Sequence, residues 1–457
     1  MSAAAVSPRD MVSSGLCIGC GGCVAQARPE QARLEWNRDG QRNPAGDPDW
    51  YRRRSEGFSA CCPFSPHAMN EDEIAGQRFP AAAAQDDYIG RFDAAYVGHA
   101  AEAGYRERGS SGGMVSWVAG ELLRQGMVDG VAHVTRADPA TEGRLFRYRI
   151  ARDLPALWEG AQSRYYPVDM AEVLREIREV PGRYAVVGIP CFIKAVHLAR
   201  AADPLLRERI VFTLGLVCGH MKSRHMASSF ARQMGFDPAA VRQIDYRVKD
   251  PERPANWYRA RLTDRAGEQR MRDWWHLVDG DWGSGFFQNS ACDFCDDVVA
   301  ETADIAFGDA WVEPYSSDGR GTNVVVVRSP ALHAMLREGI DAGRLALQPV
   351  DAGFVRETQA AGFRQRREGL AYRLCWRKAG VRPRKRVRPG SAGLSWRRRM
   401  IYRLRHAISR GSGRVFRLAE ALGRPGLFLL WARAMLKLYH GLAYSRGWLG
   451  KLFDRFA

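Results

Sequence analysis

Three closely spaced cysteines near the start of the chain constrain its structure more than any other feature. Cys17, Cys20 and Cys23 follow the C-x2-C-x2-C spacing with which bacterial ferredoxins hold three corners of a [4Fe–4S] cluster. The ferredoxin run continues with x3-C-P, whereas Ala27 and Arg28 stand at those two positions here. The fourth ligand of such a cluster must therefore come from another part of the chain.

A Cys-Pro pair further along the chain supplies a fourth ligand. In two-cluster ferredoxins, the cysteine that precedes proline in each run binds the cluster of the other run. A chain that has lost one cluster should therefore keep three cysteines of one run and the Cys-Pro pair of the other, here Cys62–Pro63. We predict one [4Fe–4S] cluster in a small ferredoxin-like module, residues 1–80, with four ligands: Cys17, Cys20, Cys23 and Cys62.

The residues leave two alternatives to this ligand set. Cys61 adjoins Cys62 and is an alternative fourth ligand. Four thiolates also suit a zinc ion. Three cysteines in a C-x2-C-x2-C run nevertheless favour a cluster, because each sulfur then binds a different corner of the cube.

The cysteine content also bears on the compartment and the class of protein. The first residues, MSAAAVSPRDMVSSG, lack the apolar core of a signal peptide, so we expect a cytoplasmic protein. Close cysteine pairs in such a protein indicate metal or redox sites rather than a disulfide framework. The chain has 457 residues, of which 46% are hydrophobic, and this is enough for two or three domains.

Apolar strand patterns alternate with helical ones over residues 88–345. This alternation indicates an α/β body, whose first part we place at residues 85–170 and whose second part at 171–345. Residues 1–80 are polar and rich in glycine and proline, so we expect that module to lack an apolar core. Strands are predicted at 93–100, 128–135, 183–190, 209–218, 303–311 and 322–329, and helices at 112–126 and 223–235.

Four further cysteines lie in the predicted body. Cys191 and Cys218 come at or just past the end of a predicted strand, where ligands converge at the carboxyl edge of an α/β sheet. Cys292 and Cys295 form a C-x2-C pair, which is half of a typical metal site. The spacing favours a second cluster, with zinc or a redox-active dithiol as alternatives. Cys375 is left over and carries no predicted role.

A serine and glycine turn is the candidate ligand loop of the body. Residues 110–113 are Ser-Ser-Gly-Gly and lead directly into a predicted helix. Such a turn exposes backbone N–H groups at the positive end of a helix dipole, where a phosphate can bind. The segment AQSRYYPV, residues 161–168, adds a cation and aromatic side chains.

Taken in order, these segments resemble the coenzyme F-420 hydrogenase/dehydrogenase beta subunit family. The resemblance covers roughly residues 10–340, and the combination of its pieces is specific although each piece alone is not. The pieces are the ferredoxin-like N-terminus, the SSGG turn (110–113), the QSRY box (162–165), the G-x-PC turn (188–191), the cysteine–histidine turn (218–220), C-x2-C-D (292–296) and ADI-x-x-GD (303–309).

The resemblance implies FAD and a second [4Fe–4S] cluster in the body, because members of the family are iron–sulfur flavoproteins. Arg164 replaces the usual lysine of the family, and Cys-Gly-His replaces the commoner Cys-His-Gly order, so the second substrate does not follow from the resemblance. The implied ligands of the second cluster are Cys191, Cys218, Cys292 and Cys295. The implied FAD contacts are Ser110, Ser111, Gly112, Gly113, Ser163, Arg164, Tyr165 and Asp309.

The function that the resemblance implies is that of an iron–sulfur flavoprotein oxidoreductase. Clusters carry single electrons, whereas a flavin can collect two and transfer them as hydride. We expect electrons to pass from a donor protein, such as ferredoxin or a hydrogenase or dehydrogenase subunit, through the clusters to FAD. The acceptor is then an organic molecule or a deazaflavin, and the flow can also run in reverse. Candidate acid–base residues are Asp309, His220 and Lys249.

Two rival functions fit parts of the sequence. A non-catalytic electron-transfer subunit of a larger redox complex would use the same cofactors without a substrate of its own. An interaction protein with zinc at both cysteine sets would use its basic tail to bind nucleic acid. We favour the oxidoreductase and expect no nucleic acid partner.

The positive charge is concentrated in a C-terminal tail, residues 376–457. From residue 377 onward, 21 Lys and Arg face two acids, a net charge of +19, whereas the whole chain carries +17. The main body is therefore close to neutral. Basic residues interleaved with leucine and aromatic residues are typical of a helix on a membrane surface. We expect a helical basic tail that contacts the inner face of the membrane or a partner protein and is dispensable for chemistry.

Overall fold

Short helices and one antiparallel hairpin form the N-terminal region. The structure is a computed structural model that describes residues 4–377 and 380–454. Residues 1–3 of the predicted module, and 378–379 and 455–457 of the predicted tail, lie outside the described residues. The elements of the N-terminal region are α1 (Pro8–Ser13), α2 (Gly22–Gln26), β1 (Ala32–Trp36), β2 (Arg42–Gly46), α3 (Pro48–Arg52), α4 (Glu56–Cys61) and α5 (Glu71–Arg78).

Strands and helices alternate along the central body, which confirms the predicted α/β class. The six strands and two helices predicted from the sequence are all present, within two residues of their predicted bounds. Residues 84–179 contain β3 (Ala84–Asp86), β4 (Gly90–Phe92), β5 (Ala94–Ala100), α6 (Tyr105–Arg108), α7 (Met114–Arg124), β6 (Gly130–Arg136), α8 (Pro139–Glu142), β7 (Phe146–Ala151), α9 (Leu154–Trp158) and α10 (Ala171–Glu179). Residues 184–350 contain β8 (Tyr184–Gly188), α11 (Pro190–Ala202), α12 (Pro204–Arg209), β9 (Ile210–Leu216), α13 (Arg224–Gln233), β10 (Val241–Val248), β11 (Arg259–Asp264), β12 (Gln269–Asp273), β13 (Ile305–Asp309), β14 (Asn323–Val327), α14 (Pro330–Asp341) and β15 (Leu345–Val350).

Eight of these strands form one mixed sheet, in the order β15-β5-β14-β13-β9-β8-β6-β7. The four inner strands β13, β9, β8 and β6 are parallel, and the other neighbours are antiparallel. The carboxyl ends of the parallel strands therefore meet at one edge, which we call the carboxyl edge and where open α/β sheets bind ligands. β5 also ends there, because it and β13 are both antiparallel to β14.

Helices cover both faces of the sheet, and the side chains of β8 alternate between the two faces. Tyr184 and Val186 lie in a core with α10, α11 and α12. Ala185 and Val187 lie in a core with α7 and α14 on the other side. All four side chains are buried, which is why this strand appears in the sequence as a continuous apolar run.

A second core lies beside the main sheet, around the three-stranded sheet β10-β11-β12. Ile244 and Leu262 from this sheet are buried there together with Phe230 of α13. β12 exposes most of its side chains, so its sequence carries no alternating apolar signal. This small antiparallel sheet was not predicted from the sequence.

Among the described residues, six helices follow the last strand. Arg397 near the start of α18 donates to the Leu442 carbonyl near the end of α19 at 2.6 Å, so these two helices run antiparallel. None of the helices formed by the described residues has both the length and the apolar content that a bilayer crossing requires. The helices are α15 (Ala352–Thr358), α16 (Ala360–Arg366), α17 (Glu368–Trp376), α18 (Trp396–Ala421), α19 (Gly426–Tyr444) and α20 (Gly447–Asp454).

The C-terminal helices pack on the body, and the expectation that they are dispensable for chemistry stays a prediction. Ile408 and Phe416 of α18 and Phe428 of α19 are buried in the second core. Arg410 and Arg414 lie on the exposed side of α18. The helix is thus amphipathic in the usual way, and its many arginines conceal an apolar stripe that packs on the body.

The N-terminal region also shares an apolar core with the body, whereas the sequence predicted a module without one. Met11, Leu16 and Phe64 are buried in the same cluster as Phe192 and Val196 of α11. Each short element contributes only one or two side chains, so no periodic pattern marks this core in the sequence. The likeness of this region to a ferredoxin stays a prediction.

We expect Phe416→Ala to destabilise the protein far more than Leu418→Ala. Phe416 is 4% exposed and contacts Phe287 and Phe428, so its truncation leaves a cavity that costs about 3–5 kcal/mol. Leu418 lies in the same helix and is 59% exposed, so its truncation should cost about 0.5 kcal/mol or less. Chemical denaturation of both variants measures the difference, and equal losses would contradict the packing of α18.

Candidate functional site

Two cysteines lie at the carboxyl edge because they follow parallel strands. Cys191 lies in the first turn of α11, directly after β8, and Cys218 follows β9. The Cys218 N–H donates to the Val298 carbonyl at 3.0 Å. This bond ties the turn after β9 to the loop that carries Cys292 and Cys295.

The four body cysteines lie within electrostatic reach of each other. Burial raises the pKa of Cys218 to about 12, and the charge of Cys295 adds to this effect. Burial also raises the pKa of Cys292, with contributions from Cys218 and Cys295. The Met221 N–H donates to Cys292 Sγ at 3.3 Å. The structure therefore brings together the four residues predicted for the second site: Cys191, Cys218, Cys292 and Cys295.

Two glycines shape the N-terminal cysteine loop, residues 17–23. Gly19 and Gly21 have φ angles of 74° and 83°, in the left-handed region that residues with a side chain rarely adopt. A Cβ on Gly19 would lie 2.4 Å from the Arg42 carbonyl oxygen, and one on Gly21 would lie 2.8 Å from the Ala171 nitrogen. Both positions therefore require glycine for the loop to curl against β2 and α10.

Cys62 lies with this loop, whereas the neighbouring Cys61 faces another residue. Burial raises the pKa of Cys62, and the charges of Cys20 and Cys17 contribute to the rise. Burial raises the pKa of Cys61 too, while a hydrogen bond with Gln26 lowers it. The structure thus gathers the four residues predicted for the first site: Cys17, Cys20, Cys23 and Cys62.

The two cysteine sets are themselves close neighbours. Burial raises the pKa of Cys191, and the charges of the other three body cysteines raise it further. The charge of Cys20, which belongs to the N-terminal set, also contributes to this rise. Tyr148 lies near both sets, since the charges of Cys191 and Cys20 add to the burial that raises its pKa. The Tyr148 hydroxyl donates to the Val187 carbonyl at 2.9 Å, which fixes the ring between the sets.

The distances between candidate ligands bear on zinc as an alternative. In the described ranges, no three His, Cys, Asp or Glu side chains converge at the distances that a single metal ion needs. The four cysteines of a [4Fe–4S] cluster bind four different iron atoms, so their sulfur atoms lie farther apart than ligands of one ion. The side chains in the described ranges are therefore not arranged as a zinc site would require. The same result does not bear on a [4Fe–4S] cluster.

The turn of residues 110–113 packs closely on the carboxyl edge. Gly113 has a φ of 80° and is the N-cap of α7. A Cβ on Gly112 would lie 2.8 Å from Asn323 Oδ1, and the same oxygen accepts the Met114 N–H at 3.2 Å. Asn323 is the first residue of β14, so this hydrogen bond fastens the start of α7 to that strand.

The two segments implied as FAD contacts touch each other. The Ser163 N–H donates to Ser110 Oγ at 2.8 Å. Lys249 Nζ holds the same turn, since it donates to the Ser111 carbonyl at 2.8 Å and to the Arg106 carbonyl at 2.5 Å. Burial and neighbouring arginines lower the pKa of Lys249 to about 8. Lys249 thus supports the turn rather than standing free as an acid–base group.

Asp309 and Arg164 have structural partners. Asp309, at the end of β13, accepts two bonds from the Arg247 guanidinium, at 2.9 and 3.1 Å. Arg164 lies 3.5 Å from Asp245 and stacks over Phe146 at 5.0 Å. Burial lowers the pKa of Arg164 to about 10. The Arg164 side chain therefore faces the second core, whereas Ser163 beside it faces the Ser-Gly turn.

Aromatic side chains connect the QSRY box to the second cysteine set. The rings of Tyr165 and Trp282 have centroids 4.9 Å apart, and Trp282 stacks on His220 at 4.2 Å. His220 follows Cys218 by two residues. Lys222 Nζ lies 4.7 Å from the centroid of the Trp282 ring. Trp282 therefore bridges the two candidate cofactor regions.

Three buried polar atoms around this bridge have no hydrogen-bond partner among the described residues: Arg164 Nε, Tyr246 Oη and His220 Nε2. An unsatisfied buried polar atom costs about 1–3 kcal/mol. Burial also holds the pKa of His220 well below its usual range, so its ring is neutral. The region is therefore prepared for a polar ligand that supplies the missing hydrogen bonds.

Three residues of this site were not predicted from the sequence. Arg247 pairs with Asp309, Asn323 fastens α7, and Trp282 bridges the two candidate regions. None belongs to a spaced motif, and each acts on a residue far away in the chain. The position of Arg247 two residues before Lys249 is the only local signal that could have drawn attention to it.

The fold and the site define a class of α/β redox protein with cysteine-rich loops and a Ser-Gly turn at one sheet edge. Two family models, both described as "Coenzyme F420 hydrogenase/dehydrogenase, beta subunit", match the chain. The model of the amino-terminal part matches residues 95–175, and the model of the carboxyl-terminal part matches residues 182–353. Together they span more than half of the chain. The chain belongs to the coenzyme F420 hydrogenase/dehydrogenase beta subunit family, which confirms the resemblance and indicates a redox role.

A solved structure shares the fold. It is the xenon-derivatised F420-reducing [NiFe] hydrogenase complex from Methanosarcina barkeri, a chain of which matches with a TM-score of 0.50 and 16% sequence identity. The match covers 66% of this chain and 99% of that chain. No curated protein sequence matches the chain.

Cys62→Ala should lower the iron content of the protein by one cluster, roughly four iron atoms per chain, because Cys62 lies with the N-terminal cysteine loop. Cys61→Ala is the matched control and should leave the iron content unchanged, since Cys61 contacts Gln26 instead. Iron and sulfide are determined on anaerobically purified variants. The opposite outcome would transfer the ligand role to Cys61.

Proposed function

We propose that the protein is an iron–sulfur flavoprotein oxidoreductase that transfers electrons between a partner protein and an organic or deazaflavin acceptor. The observation that carries this proposal is the assembly at the carboxyl edge. Two cysteine sets lie within electrostatic reach of each other, and the Ser-Gly turn beside them is bonded to the QSRY box. Membership of a hydrogenase/dehydrogenase subunit family supports it.

Both cysteine sets fit [4Fe–4S] clusters. Each supplies four thiols from loops whose backbone is fixed by glycines or by hydrogen bonds to the sheet. Hydrogen bonds to sulfur help to set the potential of a cluster, and the Met221 N–H already donates one to Cys292. The proposed ligands are Cys17, Cys20, Cys23 and Cys62 for the first cluster and Cys191, Cys218, Cys292 and Cys295 for the second.

The residues around the Ser-Gly turn fit FAD. When bound, its flavin ring can exchange single electrons with clusters and a hydride with an organic molecule. The turn of residues 110–113 opens α7 and offers backbone N–H groups to a phosphate. Tyr246 Oη and His220 Nε2 lack partners among the described residues, so they suit the polar edge of a ligand. The proposed contacts are Ser110, Ser111, Gly112, Gly113, Ser163, Arg164, Tyr165 and Asp309.

His220 is the acid–base candidate that the geometry favours. Asp309 is engaged by Arg247, and Lys249 Nζ is bound to two carbonyls. His220 is 4% exposed, neutral because burial depresses its pKa, and held flat by the ring of Trp282. Because Nδ1 faces the Arg405 guanidinium, which can only donate, the neutral ring carries its proton on Nε2, and this unpartnered N–H can donate to the acceptor.

The electron-donor protein, such as a ferredoxin or a hydrogenase or dehydrogenase subunit, is proposed to dock near the N-terminal cysteine set. Three cysteines of the N-terminal set are partly exposed, against two of the second set, Cys191 and Cys218. Cys292 and Cys295 are buried. Electron transfer between proteins requires the donor to approach one redox site closely. The N-terminal set, with more partly exposed cysteines, is the better entry point, and the second set lies on the path to the acceptor.

The turn between α18 and α19 is proposed to contact the cytoplasmic face of the membrane. Exposed cations border this turn, among them Arg414, Arg424 and Arg433, and its acid Glu420 is already paired with Arg232 at 2.9 Å. Leucines bordered by cations suit an anionic lipid surface. Four leucines, 43–67% exposed, form this apolar tip: Leu418, Leu422, Leu427 and Leu430.

Anaerobic purification of the full chain should give a coloured protein with about eight iron atoms, equal sulfide and one FAD per chain, since each cluster carries four iron atoms. A partner-free protein that is first reduced chemically, freed of the reductant and then passes its electrons to an added deazaflavin or quinone would support the enzyme. Electron exchange with a donor protein but with no small acceptor would favour the alternative, a non-catalytic relay subunit. Iron without flavin would overturn the proposed function.

Lys249→Met should weaken FAD binding at least tenfold and leave both clusters in place. The change removes one charged hydrogen bond to the Ser111 carbonyl in the Ser-Gly turn and one to the Arg106 carbonyl in α6, which precedes the turn, each worth about 1.5–3 kcal/mol. Lys437→Met, in the exposed part of α19, is the control and should bind FAD normally. Flavin fluorescence during dilution measures the affinity, and an unchanged affinity in Lys249→Met would separate the turn from the flavin site.

Replacing Leu422 and Leu427 by serine should reduce binding to anionic phosphatidylglycerol vesicles roughly tenfold, because burial of each half-exposed leucine contributes about 1 kcal/mol or less. Leu452→Ser is the control, since Leu452 lies on α20, which packs near the other end of α19. Sedimentation with vesicles at low and high salt measures binding. Loss of partner-protein binding with vesicle binding intact would identify the tip as a protein contact.

A further inference from the structure

Buried arginines from beyond the family-matched stretch surround the second cysteine set. The family models end at residue 353, whereas Arg366 of α16, Arg373 of α17 and Arg405 of α18 reach inward from later helices. Their exposures are 4%, 4% and 8%. Buried cations are rare unless they meet negative charge or many acceptors, so each of them must serve the structure or the chemistry around it.

Arg366 joins the two loops that carry the second cysteine set. Its Nη2 donates to the Cys218 carbonyl at 2.9 Å and to the Gly219 carbonyl at 2.6 Å. Its Nε donates to the Asp297 carbonyl at 2.9 Å, and Asp297 follows Cys295 by two residues. The guanidinium is thus held by three carbonyls, with its position fixed from both loops.

The charge of Arg366 acts on the sulfur atoms themselves. Burial alone would lower the pKa of this arginine, yet the charges of Cys295, Cys218 and Cys292 hold it above its usual value. The same guanidinium opposes the rise that burial imposes on the pKa of Cys218. Asp297 is the acidic residue whose carboxyl group interacts with the same guanidinium.

We propose that Arg366 sets the reduction potential of the second cluster by favouring its reduced form. This inference rests on the proposed function, because it requires a cluster on the four body cysteines. When the site takes one electron, the donor protein loses one, and the site becomes more negative by one elementary charge. A buried cation bonded to both loops that carry Cys218, Cys292 and Cys295 stabilises that extra charge in a medium of low dielectric constant. With the Arg366 charge in place, the second cluster accepts an electron more readily than it would without that charge.

Arg373 offers a matched control in the neighbouring helix. It is equally buried and donates to two carbonyls, those of Asp293 and Gln365, at 2.7 Å each. Its charge interacts most with Asp293 and then with Arg405, Tyr402 and Arg366, and burial lowers its pKa to about 10. Replacement of Arg373 therefore removes a buried cation and its carbonyl bonds without removing the charge that acts on the cysteines.

The test is a redox titration of the full-length protein followed by electron paramagnetic resonance, with iron counted in every variant. The signal of the second cluster is the one that Cys292→Ala removes. Arg366→Gln should shift its midpoint to a more negative value, with roughly a tenfold change in the ratio of reduced to oxidised cluster, about 59 mV for one electron. Arg366→Lys keeps the charge and should recover most of the shift, and Arg373→Gln should leave the midpoint in place.

The results that would contradict the role of Arg366 differ from those that would contradict the proposed function. An unchanged midpoint in Arg366→Gln at full iron content would overturn the proposal, as would an equal shift in Arg373→Gln. Loss of iron from both Arg366→Gln and Arg366→Lys would make Arg366 a structural support only, which also overturns it. Absence of a Cys292-dependent signal in the unmodified protein would instead contradict the proposed function itself.

Discussion

Burial of thiol groups at one edge of the sheet is the interaction on which the rest of this site depends. Burial raises the pKa of Cys20 and of Cys218 to about 12 each, so the free thiols keep their protons. A metal must displace those protons, and it can do so only if the ligand loops already stand in place. The N-terminal region, the body and the C-terminal helices share their cores, and this shared packing holds the loops there.

The fold could be predicted where a strand is buried on both faces and not where it is partly exposed. The run around Val186 is apolar without interruption and was located within two residues. β12 reads Gln-Arg-Met-Arg-Asp and exposes nearly all of its side chains, so its pairing with β11 depends on neighbours rather than on its own pattern. The apolar stripe of α18, which includes Ile408 and Phe416, was present in the sequence but was outweighed by the arginines between its members.

Some features of the site could likewise be predicted from neighbouring residues in the sequence, whereas others depend on contacts between residues that are far apart in the chain. The spacing of the N-terminal cysteines and the Cys-Pro pair is local, so it predicts a ligand set without knowledge of the fold. The bond from Ser163 to Ser110 joins residues 53 positions apart, and only the sheet brings them together. The family resemblance implied that the SSGG turn and the QSRY box contact the same cofactor, but it did not specify this hydrogen bond. Arg366 was beyond both kinds of information, because it lies outside the family-matched stretch and carries no motif.

One helix connects the proposed membrane contact with the proposed redox site. Arg405, which approaches His220 at 3.4 Å, and Leu418, at the apolar tip, both lie on α18. Their separation of 13 residues along the helix corresponds to about 20 Å at 1.5 Å per residue. A lipid surface at the tip would therefore lie about 20 Å along α18 from the residue that approaches His220. The same buried stripe that fixes α18 on the body would hold the tip at a constant distance from the redox site, so the proposed anchor and the position of Arg405 beside His220 depend on one rigid helix.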